Sequence, residues 1–311
     1  MRRKLASISV DLDEVGCYGA IHGVEIPEGP ALHAVYDRCV PRLVDLFDAE
    51  SIRATFFAIG SDLGRAHNRN TIASLHEAGH EIGNHSFHHH YDLSRRSAQD
   101  IREDIELGAS VIQAACGSRP VGFRAPGYTI NDMVFDVLEA SDVEYDSSVF
   151  PCPSYYATKV SVIGLMALRR QKSQSIVDTP QVLRSSKQPY RVGRPYWRKG
   201  AGLLELPIGV TPWGLPYIGT SLVIWGARGA KALTRQMLGQ DLIHVELHGF
   251  DVADCALDGL QALAPHRPDL KRPAAEKVSV IRSVIGMIRQ AGYELVPLKE
   301  VAGRLSEKPT L

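Results

Sequence analysis

An α/β architecture with a mainly parallel sheet or barrel is expected of this 311-residue chain. Short β-rich runs alternate with helix-length periodic segments through most of the sequence, a rhythm that argues for βαβ units. Helix start and stop residues flank several of the periodic segments. The length equals about two domains on a ~150-residue average, yet barrels of ~250 residues routinely form one domain. One domain over residues 1–311 is therefore expected, with an insertion at about 151–238.

The first run, KLASISVDL, reads as a strand that ends in acidic residues, and a helix near 31–50 follows it. RATFFAIG, HEIGNHS and VGFRAPG are three further strand-like runs, separated by helices near 69–78 and 94–116 and followed by one near 131–140. Ser94, with Asp100, Glu103 and Asp104 soon after, marks the start of the long helix; Gly79 and Gly117 mark helix ends. After Tyr145 the rhythm breaks for about ninety residues. It resumes with DLIHVELHGF, a helix near 273–291 and YELVPLKEV.

The broken stretch has its own character. Residues 151–200 hold Lys159, Arg169, Arg170, Lys172, Arg184, Lys187, Arg191, Arg194, Arg198 and Lys199 against one acid, Asp178, a local charge of +9 in a chain whose net charge is zero. That overall neutrality excludes the basic field of a general nucleic-acid binder. Residues 206–227 are uncharged and reach membrane-spanning length, but three prolines and four glycines interrupt them, so no spanning helix is expected. The start, MRRKLASISVDLD, lacks a signal peptide's apolar core, which points to the cytoplasm. Five scattered cysteines with no C-x-x-C pair give neither a disulfide framework nor a zinc ribbon.

Chemistry concentrates at the ends of the strand-like runs. In a strand, Asp11 and Asp13 share one face while Leu12 takes the other. Two unpaired carboxylates there would repel, whereas a bound cation keeps them ionised; an Asp-rich surface turn accounts equally well for this pair alone. His85 and His89 stand four apart, a spacing that on a helical turn points both imidazoles one way. Asp-His-His with an open position is the layout of a catalytic zinc site. His88 and His90 are alternative ligands or supporting partners from the same tract. His76-Glu77-Ala78-Gly79-His80 matches H-E-x-x-H, but Gly79 reads as a helix cap, so the two histidines would not share the one helix which that motif requires. Arg124, at the end of VGFRAPG, suits the task of holding a carboxylate ionised, and Pro126-Gly127 shapes a turn whose N–H groups could face an oxyanion; an ordinary turn with a surface Arg is the plain alternative. On DLIHVELHGF, His244, Glu246 and His248 alternate onto one face, with His248 at the C-terminal end.

Taken in order, VDLD, GNHSFHH, FRAPG and VELHG resemble the motifs of the polysaccharide deacetylase (NodB-homology) family, metal-dependent carbohydrate N-deacetylases with a distorted (β/α) barrel. TFFAIG and AGHEIGNHS add to the likeness, which covers residues 5–150 and 240–300. The resemblance implies that Asp11 is the general base, that Asp13, His85 and His89 hold one divalent ion with zinc the default, that Arg124 orients Asp11, and that His248 is the general acid. The sequence departs from the family twice. D-x-D replaces adjacent aspartates, which looks more like the branch of peptidoglycan deacetylases and lipid-linked aminoarabinose deformylases. Gly127 stands where an aromatic residue is frequent, so only its backbone N–H transfers as an oxyanion donor, with Tyr128 beside it as a substrate-binding candidate. The family's tryptophan motif has no counterpart identifiable after Asp146.

The implied reaction is amide hydrolysis. An activated water gives its proton to Asp11 and attacks the carbonyl, and His248 protonates the departing amine. The expected substrate is an N-acylated, most simply N-acetylated, amino sugar. A basic segment beside an apolar run suits one linked to phosphate or to a lipid carrier, met at the inner membrane face with peripheral membrane contact; an insertion that simply covers the barrel or forms a dimer contact accounts for the segment equally well. Hydrolysis of a small non-sugar amide, or a pseudoenzyme that only binds glycan or lipid, are the competing readings.

Overall fold

The computed structural model describes residues 4–26, 28–168 and 175–307. Its first half runs β1 (Lys4–Asp11), α1 (Val15–His22), α2 (Val40–Ala49), β2 (Thr55–Ala58), α3 (Ala66–Glu77), β3 (Glu81–Asn84), α4 (Ala98–Cys116), β4 (Gly122–Phe123), α5 (Asp132–Glu139) and β5 (Tyr145–Asp146). Then come α6 (Pro153–Leu168), β6 (Tyr190–Val192), β7 (Lys199–Glu205), α7 (Gly219–Met237), β8 (Leu242–His248), α8 (Ala274–Gln290), β9 (Tyr293–Leu295) and α9 (Leu298–Ser306).

The strands form one sheet in the order β6-β7-β5-β4-β3-β2-β1-β8, with β9 also on β1. Every ladder is parallel except β6–β7. Parallel sheets are covered on both faces, so their strands read as nearly unbroken apolar or small-residue runs; β1 is buried from Leu5 to Asp11. One face packs Ile8, Val10, Phe56, Val245 and Leu247 against Leu43 and Phe47 of α2 and Ile281 and Ile285 of α8. Truncating a fully buried ring such as Phe56 costs about 3–5 kcal/mol. The chain beyond β7 then reaches over to β8: Ile218 bridges Glu246, and the His244 Nδ1–H donates to the Pro207 carbonyl at 2.9 Å. The sheet is thereby curled into a half-barrel, the distorted α/β form expected.

Several boundaries move. The long helix starts later than Ser94, which lies in a short 3-10 turn, because Ser97 caps it by accepting the Asp100 N–H at 3.2 Å. The helix expected near 31–50 begins as a 3-10 turn and a π turn before α2. In the middle stretch the sheet never stops: Asp146 of β5 pairs in parallel with Glu205 of β7. That continuity was hidden because β5 is two residues long and β7 opens with the exposed residues Lys199, Gly200 and Ala201. Residues 151–238 thus supply two strands of the sheet along with α6 and α7. Among the described residues, no helix is long and apolar enough to cross a membrane.

Candidate functional site

Parallel strands put all their C-terminal ends on one edge, and loops leaving that edge converge. Asp11 ends β1, in register with His248 at the end of β8. Asp13 lies two residues on, His85 follows β3 directly and Arg124 follows β4 directly. Sequence positions far apart therefore meet at one place.

Asp13, His85 and His89 are all buried, and Asp13 Oδ1 lies 3.3 Å from Nε2 of both histidines. Burial raises the Asp13 carboxyl, but His89 and His85 outweigh it and hold the group well below the usual carboxylate range. The His85 Nδ1–H donates to the Arg124 carbonyl at 2.7 Å, which leaves Nε2 free to bind. The His89 ring rests with Nδ1 3.7 Å from Cys17 Sγ. The two rings meet at 4.8 Å, though not on a helical turn. Ser86 and His89 both take left-handed backbone, φ 63° and 54°, and Ser86 Oγ accepts the His89 N–H at 3.1 Å. A tight loop, closed by that hydroxyl, produces the juxtaposition expected of a helix.

Asp11 sits on the other side of His85, with Oδ2 3.9 Å from His85 Nε2. Arg124 is fully buried and donates to Asp11 Oδ1 at 2.5 Å, to the Ser9 and Ser147 hydroxyls at 2.9 Å and to the Ser147 carbonyl at 2.8 Å. Its guanidinium also lies 4.2 Å over the Phe57 ring. His244 joins this support rather than the cavity. Its Nδ1–H is held by Pro207, its Nε2 accepts from Ser9 at 2.9 Å, and burial together with Arg124 lowers its pKa to about 3.

His248 has Nδ1 3.0 Å from Glu246 Oε1, Nε2 3.3 Å from the Tyr128 hydroxyl and Nε2 4.0 Å from Asp13 Oδ2. Burial opposes its charge, but Glu246, then Asp13 and Asp11, lift its pKa to about 10. Glu246 was visible in the sequence as a residue on the right face; its pairing with His248 depends on a ring orientation that no spacing encodes. Gly127 is at φ 60°, and a Cβ there would lie 2.8 Å from Tyr91 Cδ1, so a side chain at this position would need Tyr91 to shift. Tyr128, next in the chain, brings its phenol to His248 instead.

The other histidines stand apart. His76 closes α3 while His80 lies beyond Gly79, buried, with Nδ1 accepting the Ala54 N–H at 3.1 Å. His88 and His90 cluster with Asp104, not with Asp13.

A cavity of about 510 Å³ opens over these groups. Asp11, Asp13, His85 and His248 line it together with Tyr18, Tyr91, Tyr128 and Tyr155, and Ile224 and Trp225 come from the uncharged run. Among the described residues, Arg267 and Lys159 bring positive charge to it. Arg267 is held by Asp269 at 2.8 Å, and Lys159 bonds the Gly127 carbonyl at 2.9 Å. Burial lowers the pKa of Lys159 to about 8, with Asp178 pulling the other way. Most of the basic segment goes elsewhere: Arg194 pairs with Asp136 and Glu139, and Lys187 donates to the Thr211 and Pro212 carbonyls. Arg169, Arg170 and Lys172 lie outside the described residues. Lys159 and Arg267 were missed as cavity residues because neither belongs to a periodic pattern that points to the strand ends.

Parts of the chain match known proteins. Residues 28–145 match the family model described as polysaccharide deacetylase, a range that contains His85, His89 and Arg124 and leaves Asp11, Asp13 and His248 outside. A peptidoglycan-N-acetylglucosamine deacetylase of Bacillus cereus is 37% identical over 95 residues, 30% of this chain and 43% of that protein. A chitooligosaccharide deacetylase of a Bradyrhizobium species is 32% identical over 89 residues, 28% of this chain and 39% of that protein. The chain thus spans less than half the length of these curated relatives. Among solved structures, a Mycobacterium smegmatis protein assigned as a polysaccharide deacetylase superposes with a TM-score of 0.60 at 19% identity, covering 97% of this chain and 91% of its own. The Xyl-CE4 domain of a multidomain xylanase from the hindgut metagenome of Trinervitermes trinervoides gives 0.51 at 15% identity, covering 99% and 94%. Both share the fold.

Proposed function

We propose that this chain, a relative of the polysaccharide deacetylases, is a metal-dependent hydrolase that removes an N-acyl group, most simply acetyl, from an amino sugar. One observation carries the reading. Asp13 Oδ1 and His89 Nε2, 3.3 Å apart, are buried and have no hydrogen-bond partner among the described residues, and Asp11 Oδ2, 3.9 Å from His85 Nε2, is likewise buried and unpartnered, an arrangement that is costly unless a cation fills it. Asp13, His85 and His89 would hold a divalent ion there, and their mixed N/O set with an open side fits zinc. When bound, such an ion supplies Lewis acidity and a water of lowered pKa.

The chain's own groups do the rest. Asp11, kept in place by Arg124, accepts the proton of the attacking water. The Gly127 N–H is offered to the oxygen on which charge develops. His248, held protonated by Glu246, gives its proton to the amine nitrogen as the C–N bond breaks, so water is consumed and a carboxylate and a free amine leave. The cavity walls of tyrosine and Trp225 suit the faces of a sugar ring.

The finer substrate reading is an N-acyl sugar linked to phosphate or to a lipid carrier at the cytoplasmic membrane face. Lys159, half-buried at the cavity wall, supports an anionic group beside the Gly127 turn, and Arg267 adds positive potential. Exposed Leu165 and Leu168 at the end of α6, with Trp213 and Trp225, support an apolar neighbour such as a lipid chain or bilayer surface. The deciding experiment is mass spectrometry of acylated amino sugars, free, phosphate-linked and lipid-linked, before and after incubation with the protein. Loss of acetyl or formyl mass, fastest on the linked forms, is expected. No mass loss from any sugar, with turnover of a small cyclic or linear amide, would replace the sugar reading by the small-amide one.

A further inference from the structure

The loop that presents His89 inward presents its two neighbours outward. His88 and His90 stack at 5.0 Å with 23° between their planes, and with Asp104 of α4 they offer ligand atoms that all lie within 4.8 Å of one another. Asp104 Oδ1 already accepts the His88 N–H at 3.1 Å and meets His88 Nδ1 at 2.6 Å. Asp104 Oδ2 belongs to a side chain only 5% exposed, and among the described residues it has no hydrogen-bond partner. A buried carboxylate oxygen left bare costs about 1–3 kcal/mol or more, so a group that fills the place is favoured. Asp104, His88 and His90 also line a small cavity of about 220 Å³, together with Arg96, Asp100, Glu103 and Leu107. Arg96 is turned to Asp92, with Nε 3.0 Å from its Oδ1.

We infer that His88, His90 and Asp104 form a second divalent transition-metal site, separate from Asp13, His85 and His89. Two imidazoles and one carboxylate make the N/O donor set that zinc, cobalt and nickel accept, with cavity space left for water ligands. His88 is more than half exposed, so an ion can enter from solvent without the loop opening. The site has a mechanical consequence. Left-handed backbone at non-glycine residues such as Ser86 and His89 costs of order 1–3 kcal/mol each and persists only where the surroundings hold it. An ion joining both neighbours of His89 to α4 would hold that loop, so filling the outer site tightens the inner one, and the reverse.

The test is zinc content after equilibrium dialysis of the full chain, read by elemental analysis together with thermal unfolding. The variants are His88→Ala/His90→Ala and, separately, His85→Ala/His89→Ala. The wild type is expected to retain one more zinc ion per chain than the outer variant, and the inner variant is expected to keep an ion that further substitution of His88 and His90 removes. Zinc should also raise the unfolding temperature of the wild type more than that of the outer variant. Equal zinc content in the wild type and a folded outer variant overturns the inference, as does an inner variant that holds none. Loss of zinc from the outer site alone leaves the hydrolase reading standing, since that reading depends only on the inner ligands.

Discussion

Replacing Arg124 by Met removes the guanidinium in contact with a carboxylate that is 1% exposed. Asp11 Oδ2 already lacks a hydrogen-bond partner, so the change strips the remaining oxygen of its 2.5 Å donor and also frees the Ser147 carbonyl and the Ser9 and Ser147 hydroxyls. Breaking a buried ion pair from one side costs about 3–5 kcal/mol, because the uncompensated charge stays inside. No solvent screening reduces that figure, since the guanidinium itself is fully buried. At roughly 2–4 °C per kcal/mol for a large domain, the unfolding temperature should fall by roughly 6–20 °C. Adding Asp11→Asn removes the stranded charge, so the double variant should be more stable than Arg124→Met alone despite carrying one more substitution. Thermal unfolding followed by circular dichroism, with chelator present so that bound metal does not contribute, reads both numbers. A double variant as unstable as the single, or less stable, would show that Asp11 does not depend on Arg124 for its charge, and the general-base assignment would lose its support.

Three further outcomes follow from the same geometry. Asp13→Asn, His85→Ala and His89→Ala should each lower metal content measured by elemental analysis, whereas Asp11→Asn should keep the metal and lose turnover, because it removes a proton acceptor and no ligand. His248→Ala should slow turnover about 10²–10⁴-fold; Glu246→Gln should shift the alkaline limb of the pH–rate profile to lower pH, since without that carboxylate the imidazolium is held less tightly. Lys159 has its pKa depressed by burial to about 8, so its charge is present below that pH and lost as pH rises through it. The KM for a phosphate-linked substrate should therefore climb above about pH 8 in the wild type and stay flat, and higher, in Lys159→Met; an unchanged profile in the variant would remove Lys159 from anion binding.

The chemistry was legible in the sequence because each piece of it sits in a short motif at a strand end, where period-2 alternation and chain direction already fix the facing. Asp11 and Asp13 show this directly: Leu12 between them is buried in the opposite packing layer, as the alternation requires. His85 and His89 show how a spacing can be informative for a reason other than the obvious one, since four residues bridge the gap through a left-handed loop pinned by Ser86 as well as through a helical turn. The cavity walls had no such local mark. Tyr18, Lys159, Trp225 and Arg267 come from four separate connections, and Lys159 was one basic residue among ten until packing placed its ammonium against Gly127. β7 was hidden for a related reason: a parallel strand beside a two-residue neighbour needs little apolar pattern of its own when the sheet supplies the rest. Residues that act on the scissile bond are thus set by the sheet edge, and residues that meet the remainder of the substrate are set by long-range packing of α6, α7 and the chain after β8. Substitutions in those walls should accordingly change which amide is accepted while leaving the order of proton transfers intact.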